Sequence, residues 1–220
     1  MQADYVQRLR MTFGKGGPAR FISHLDLARA LERALNRANL PVAYTHGFNR
    51  RPRLQMAAAL PLGYTSEYEL ADVLMMEWVE PEQARQQLMT RMAPGIEVYQ
   101  MADVPLPAPS LQASTVESTY VATPLDPVDR QELAGRVAEL LAAPQLLRER
   151  EQKGKLKVYD LRPLLFDLCL LDTAGDLPHL QMRLLLQPSL TGRPDEVLLA
   201  LSIDPLAARI HRTRIVLQDE

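Results

Sequence analysis

The feature that most restricts the fold is an order of hydrophobic periods that the chain runs through twice. Val6 to Phe13 alternates, with Leu9, Met11 and Phe13 on one side and Arg8, Arg10 and Thr12 on the other. A period of two with one apolar face predicts a strand. Gly14-Lys15-Gly16-Gly17-Pro18 follows and demands a loop. Ser23 opens a helix, because its hydroxyl caps free N–H groups and Asp26 in the first turn suits the helix dipole. Ala28, Leu31, Leu35 and Ala38 form its apolar stripe, and Asn39 with Pro41 ends it. Arg53 to Leu60 alternates again, with Leu54, Met56, Ala58 and Leu60 on one face, and Glu69 to Val79 reads as a further strand. Pro81 starts a second helix with Ala84, Leu88 and Met92 inward, Pro94-Gly95 stops it, and Ile96 to Met101 is a short strand. The order is β, α, β, β, α, β.

Residues 103–115 carry Pro105, Pro107 and Pro109 and are expected to form a linker. Beyond it the order repeats. Ser118 to Ala122 is a strand, and Asp126 caps a helix with Pro127 at its first position and Leu133, Val137, Leu140 and Leu141 as its stripe. Arg148 to Lys157 is a charged connection, and Tyr159 to Asp172 holds a strand with Leu164, Phe166, Leu168 and Leu170 on one face. Thr173-Ala174-Gly175-Asp176 is a hairpin turn, Leu180 to Gln187 its partner strand, Pro194 to Leu201 a short helix and Ile210 to Leu217 the last strand. The chain therefore reads as α+β, two tandem ferredoxin-like (βαββαβ) units with antiparallel sheets, at residues 1–102 and 116–220. Helices on one face of such a sheet leave the other free, and Arg8, Arg10, Arg53 and Gln55 are expected on that free face.

Composition narrows the partners. The chain has 220 residues, 47% of them hydrophobic, which is enough apolar surface to offset chain entropy. No stretch approaches the roughly 20 apolar residues of a membrane span, and Met1-Gln2-Ala3-Asp4-Tyr5 lacks the pattern of a signal peptide. Cys169 is the one cysteine, so no internal disulfide, thiolate metal site or iron–sulfur cluster is expected on this chain. These traits fit a cytoplasmic protein without a cofactor or membrane contact. The net charge is only −2, yet residues 1–55 hold ten basic residues against three acidic ones. Residues 66–99 reverse the balance, with seven acids against Arg85 and Arg91. Such asymmetry points to a face for an anionic partner.

Arg8, Arg10, Arg20, Arg50, Arg51 and Arg53 are the candidate nucleic-acid contacts, since guanidinium forks grip phosphate oxygens at two points. Aromatic residues make up only 5% of the chain, which disfavours a stacking platform on the sheet, although Tyr44 and Phe48 can stack a base from their loop. His24 and His46 titrate near neutrality and are candidate acid and base, or equally braces of the first helix and of the turn at Gly47. Four dispersed histidines and one cysteine give no metal-ligand spacing. Lys153, Lys155 and Lys157, and Arg209, His211, Arg212 and Arg214, form further basic runs whose plain reading is a solvated surface. Asp160, Arg162 and Pro163 read as a structural motif that sets chain direction.

Ile22-Ser23-His24-Leu25-Asp26, Tyr44-Thr45-His46-Gly47-Phe48-Asn49, Leu60-Pro61-Leu62-Gly63 and Asp160-Leu161-Arg162-Pro163-Leu164 occur in that order. Together with Arg193-Pro194 and Arg209 to Arg214, they resemble an uncharacterised bacterial family encoded beside, or fused to, radical-SAM proteins. The chain departs from it at Asn49-Arg50-Arg51-Pro52, where a Pro or His is expected after the Asn. The resemblance implies a radical-SAM partner that carries the cluster itself and, by gene neighbourhood, an RNA-related setting. A fold analogy also links the chain to CRISPR-repeat-processing endoribonucleases, which stack two ferredoxin-like units and use a histidine near the first helix. His24 sits similarly, but their C-terminal glycine-rich loop has no counterpart in Pro205 to Arg209. The leading expectation is a non-catalytic RNA- or nucleoprotein-binding accessory of a radical-SAM protein. The alternatives are a metal-independent endoribonuclease with a histidine base and a protein–protein adaptor.

Overall fold

A computed structural model describes residues 5–152, 154–172 and 177–218. The turn expected at Thr173 to Asp176, the residue Lys153 and the first four residues lie outside the described residues. The chain divides into two compact units, Met1–Thr115 with Leu217–Glu220, and Val116–Val216. Both mix helices with strands that pair antiparallel.

In the first unit, β1 (Gln7–Lys15), α1 (His24–Arg37), β2 (Leu54–Met56), β3 (Thr65–Met75), α2 (Pro81–Met89) and β4 (Ile96–Val104) follow in chain order. Their strands lie in the order β4-β1-β3-β2. The local signals explain the elements. Ser23 caps α1 by accepting from the Asp26 N–H, as its position predicts. Pro81 stands in the first turn of α2 and the Glu80 side chain caps it. Leu9, Met11 and Phe13 of β1 are buried with Leu27, Leu31 and Leu35 of α1 and Ala84 and Leu88 of α2 in one apolar cluster. The period-two and period-3.6 faces therefore meet as the sequence requires. β2 is shorter than the alternation of residues 53–60 predicts: its register with β3 ends at Met56 opposite Ala71, with one further bond from the Ala57 N–H to the Leu70 carbonyl at 2.9 Å.

Segment 103–115 is not a plain linker. β4 continues to Val104, and α3 (Leu111–Ser114), capped by the Ser110 side chain, buries Leu111. The carbonyls of Ala108 and Pro109 accept from Arg8 Nη1 and Nη2, each at 2.9 Å. Pro109 supplies its carbonyl without an N–H that would need a partner of its own.

In the second unit, β5 (Thr115–Pro124), α4 (Arg130–Ala142), β6 (Leu147–Gln152), β7 (Lys155–Asp160), β8 (Leu165–Leu171), β9 (His179–Leu185), α5 (Pro194–Ala200) and β10 (Ala208–Leu217) follow one another. The sheet order is β10-β5-β9-β8, and β6 and β7 pair apart as a two-stranded hairpin. Leaving that hairpin aside, the order of elements and of neighbouring strands is that of the first unit. Three details differ from expectation. α4 is capped by Asp129 rather than Asp126, since the helix begins at Arg130. The charged connection at 148–157 is the β6–β7 hairpin. Phe166 is half exposed, because a register shift between Leu165 and Asp167 turns it out of the face that Leu168 keeps.

Asp160, Arg162 and Pro163 shape the exit from β7. Asp160 Oδ1 accepts from the N–H of Leu146 at 2.8 Å and of Arg162 at 3.0 Å. The Arg162 guanidinium donates instead to the carbonyls of Leu165 and Leu141, and Pro163 sits in the 3-10 turn Arg162–Leu164. Among the described residues, no helix is long and apolar enough to cross a membrane.

Candidate nucleic-acid interface

The arginines expected on one exposed face separate into two sets. Arg8 and Arg10 correct the expectation of a free basic sheet face. Both point to Asp72, whose carboxylate accepts from Arg8 Nε at 2.7 Å and Arg10 Nε at 2.8 Å. Arg8 is buried beneath residues 108–109, and the Arg10 side chain is 21% exposed. The cause lies in the pairing of β1 with β3, which sets Arg10 directly opposite Asp72. Neither guanidinium is therefore displayed for a long, flexible strand.

Arg50, Arg51 and Arg53 belong to a loop that the fold holds out. Tyr44 and Pro52 form an isolated bridge, the Thr45 N–H donates to the Arg51 carbonyl at 2.9 Å, and the Arg53 N–H donates to Ala43 at 2.7 Å. The Arg51 N–H also donates to Thr45 Oγ1. This stem is tied to α1 twice. Arg51 pairs with Glu32 at 2.9 Å, and the Tyr44 hydroxyl donates to Asn36 Oδ1. Gly47 turns the tip with φ of 118°, a conformation that favours glycine. Beyond the stem, His46, Asn49 and Arg50 are exposed and Phe48 is fully so. The unburied phenyl ring at the loop tip adds nothing to the core and is open to contact.

Two clefts flank the loop. One, of about 520 Å³, runs along Arg53, Thr45, Tyr5, Arg8, Asp72 and Ser110. The other, of about 400 Å³, is lined by Tyr5, Tyr44, Thr45, His46, Arg50 and Met76. Arg53 lies over the Tyr5 ring, 5.4 Å from its centroid. Loop and clefts thus join the guanidiniums of Arg8, Arg50, Arg51 and Arg53, two tyrosines and an exposed phenyl group. Tyr5, Asp72 and Ser110 gave no signal in the sequence, because the strand register and the return of segment 105–110 bring them in.

Arg20 lies elsewhere on the first unit, 4.4 Å over the Phe21 ring, and the Gly63 N–H donates to its carbonyl at 2.9 Å. Phe21, Leu25 and Leu62 are each more than three-fifths exposed. His24 is the first residue of α1 and half-buried, and none of the described clefts is lined by both His24 and His46. In the second unit, Arg212 is buried against Tyr120, donating to its hydroxyl at 2.8 Å, so the expected surface run at 209–214 is interrupted. The Cys169 thiol is half-buried, and burial, then the nearby Asp167, pushes its pKa up, away from nucleophilic use. Among the described residues, no group of three or more His, Cys, Asp or Glu is placed to hold a metal.

No curated protein matches the chain in sequence. Among solved structures, it is similar to a chain of a Cbf5-Nop10-Gar1 complex, with a TM-score of 0.50 and 9% identity over 94% of this chain and 48% of that one. It is also similar to a chain of an archaeal box H/ACA sRNP Nop10-Cbf5 complex, with a TM-score of 0.46 and 11% identity over 96% of this chain and 48% of that one. The chain spans about half the length of these solved chains, and at such identity the likeness concerns the fold alone. A family model matches residues 8–194, and by it the chain belongs to DUF2344, a family described as an uncharacterized protein conserved in bacteria.

Proposed function

We propose that this protein is a cytoplasmic, non-catalytic RNA-binding accessory, built from two tandem ferredoxin-like units, that holds a single-stranded RNA segment for a radical-SAM partner. The observation that carries the RNA reading is the 44–52 loop. Its stem is fixed to α1, and its tip presents Phe48 beside Arg50, with Arg53 in the cleft behind. An exposed ring stacks an unpaired base of any sequence, and forked guanidiniums take the adjoining phosphates. Radical-SAM chemistry needs an iron–sulfur cluster, which a chain with one cysteine cannot hold by thiolates alone, so the cluster belongs to the partner. Arg20 and Arg51 support the reading less directly, since Arg51 is engaged by Glu32 and Arg20 by Phe21.

Fluorescence anisotropy with a labelled single-stranded RNA and its duplex form tests this. Stacking on Phe48 requires splayed bases, so the single strand binds at least several-fold more tightly. Equal affinity for the two forms, or no binding of either, overturns it.

A second reading, the adaptor, is favoured by the exposed Phe21, Leu25 and Leu62 beside Arg20. Such a patch suits docking to the partner enzyme, and co-purification with that enzyme in RNase-treated extract separates it from the first.

A further inference from the structure

Among the described residues, the lining of the 520 Å³ cleft has more positive charge than its one carboxylate balances. Asp72, 2% exposed, is the single carboxylate among the described residues that line it, and this group accepts from both Arg8 and Arg10. Arg53 lines the same cleft and adds a further cation. A charge set partly out of water is costly unless something balances it. Arg8, Arg53 and Asp72 line the cleft and Arg10 shares Asp72 from outside that lining, so among the described residues this group carries an excess of two positive charges in and beside a concavity of the size that takes a small ligand. The Thr45 and Ser110 hydroxyls stand in its wall, and the Tyr5 ring offers a flat side beside Arg53.

We propose that this cleft binds a phosphate monoester, either the terminal phosphate of an RNA strand or that of a free nucleotide. The charge decides between phosphate types. A monoester carries about −1.5 to −2 at neutral pH and matches the excess, whereas a backbone diester carries one negative charge and must pass through a groove open at both ends. A concave cleft with cations in its lining receives a chain end. Arg53 grips the phosphate, Arg8 in the lining and Arg10 behind Asp72 add positive potential without direct contact, and Tyr5 packs against the attached sugar or base. The strand-end form rests on the RNA reading above. The mononucleotide form does not.

The test uses the whole chain and octanucleotide RNAs with a 5′-phosphate, a 3′-phosphate or hydroxyls at both ends, together with adenosine 5′-monophosphate and adenosine, read by calorimetry. One phosphorylated end binds roughly tenfold more tightly than the hydroxyl form, as a charge-assisted contact implies. Arg53→Gln removes that preference, and Arg53→Lys, which keeps the charge but loses the fork, retains part of it. Circular dichroism shows both variants folded, because Arg53 is only half-buried. Equal binding of all three RNAs overturns the cleft proposal and leaves the RNA reading standing. Monophosphate bound in preference to adenosine, lost in Arg53→Gln, with no RNA bound, upholds the cleft and overturns the RNA reading. Neither bound overturns both.

Discussion

Arg8 reaches from β1 to Asp72 on β3, with Nε 2.7 Å and Nη2 2.5 Å from the same carboxylate oxygen, and both side chains are all but closed to solvent. Arg10 takes the remaining oxygen. The unit thus has a polar second layer on the sheet face away from α1 and α2, held by one carboxylate. Asp72→Asn keeps the shape and removes the charge, leaving Arg8 buried without its counter-ion. Such loss of one partner costs about 3 kcal/mol or more. Urea denaturation followed by circular dichroism reads it as a lowered midpoint, whereas a change below about 0.5 kcal/mol contradicts the pairing.

Phe48 is the converse case, a large side chain that the fold does not use. Phe48→Ala leaves the melting temperature unchanged and weakens single-stranded RNA binding by about 1–3 kcal/mol, the worth of one stacked base. Anisotropy and thermal melting on the same sample check both halves.

Gly95 ends the turn after α2 with φ of 86°, and a Cβ there meets the Gly16 carbonyl oxygen at 2.4 Å. The Gly16 N–H donates back to the Gly95 carbonyl at 2.8 Å. Gly95→Ala is strained in its backbone and blocked by backbone, so it destabilises the unit by more than about 1 kcal/mol. Gly47→Ala shares the positive φ but meets nothing within 4 Å, and it costs less in the same denaturation experiment.

Glu82 accepts from Arg85 and Gln86 in the first turns of α2, and these bonds, Arg85 first, hold its pKa down at about 2 against an ordinary 4.5. A depressed folded pKa stabilises the folded state above the ordinary value, and that gain disappears as the pH falls through the folded pKa. Carbon-detected NMR of the side-chain carboxyl is expected to show a midpoint near 2. In Arg85→Gln the midpoint rises toward the ordinary value, and an unchanged midpoint contradicts the pairing.

The elements with a clean period were legible in the sequence. Leu9, Met11 and Phe13 declared β1, and Ser23 with Asp26 declared the start of α1. What stayed hidden depended on register or on charge. Asp72 sits in the apolar run of β3, 64 residues from Arg8, and only the antiparallel pairing brings the two together. β6 carries one apolar residue, Leu147, and β7 alternates over Leu156 and Val158 alone, too short a run among charges to mark the pair as strands. For the site, the basic loop and its aromatic residues were visible, since Arg50, Arg51, Arg53, Tyr44 and Phe48 are close in sequence. The withdrawal of Arg8 and Arg10 from the surface was not, because it needed both Asp72 and the return of residues 108–109.

A grip of the 44–53 segment on RNA phosphates is read out by the salt dependence of binding. Log K for a single-stranded RNA falls linearly with log salt, and each phosphate contact adds roughly 0.7 to the slope. The native chain is expected to show a clear negative slope, and Arg50→Ala a slope shallower by about 0.7. An affinity that does not change with salt, or an Arg50→Ala slope equal to the native one, would contradict it.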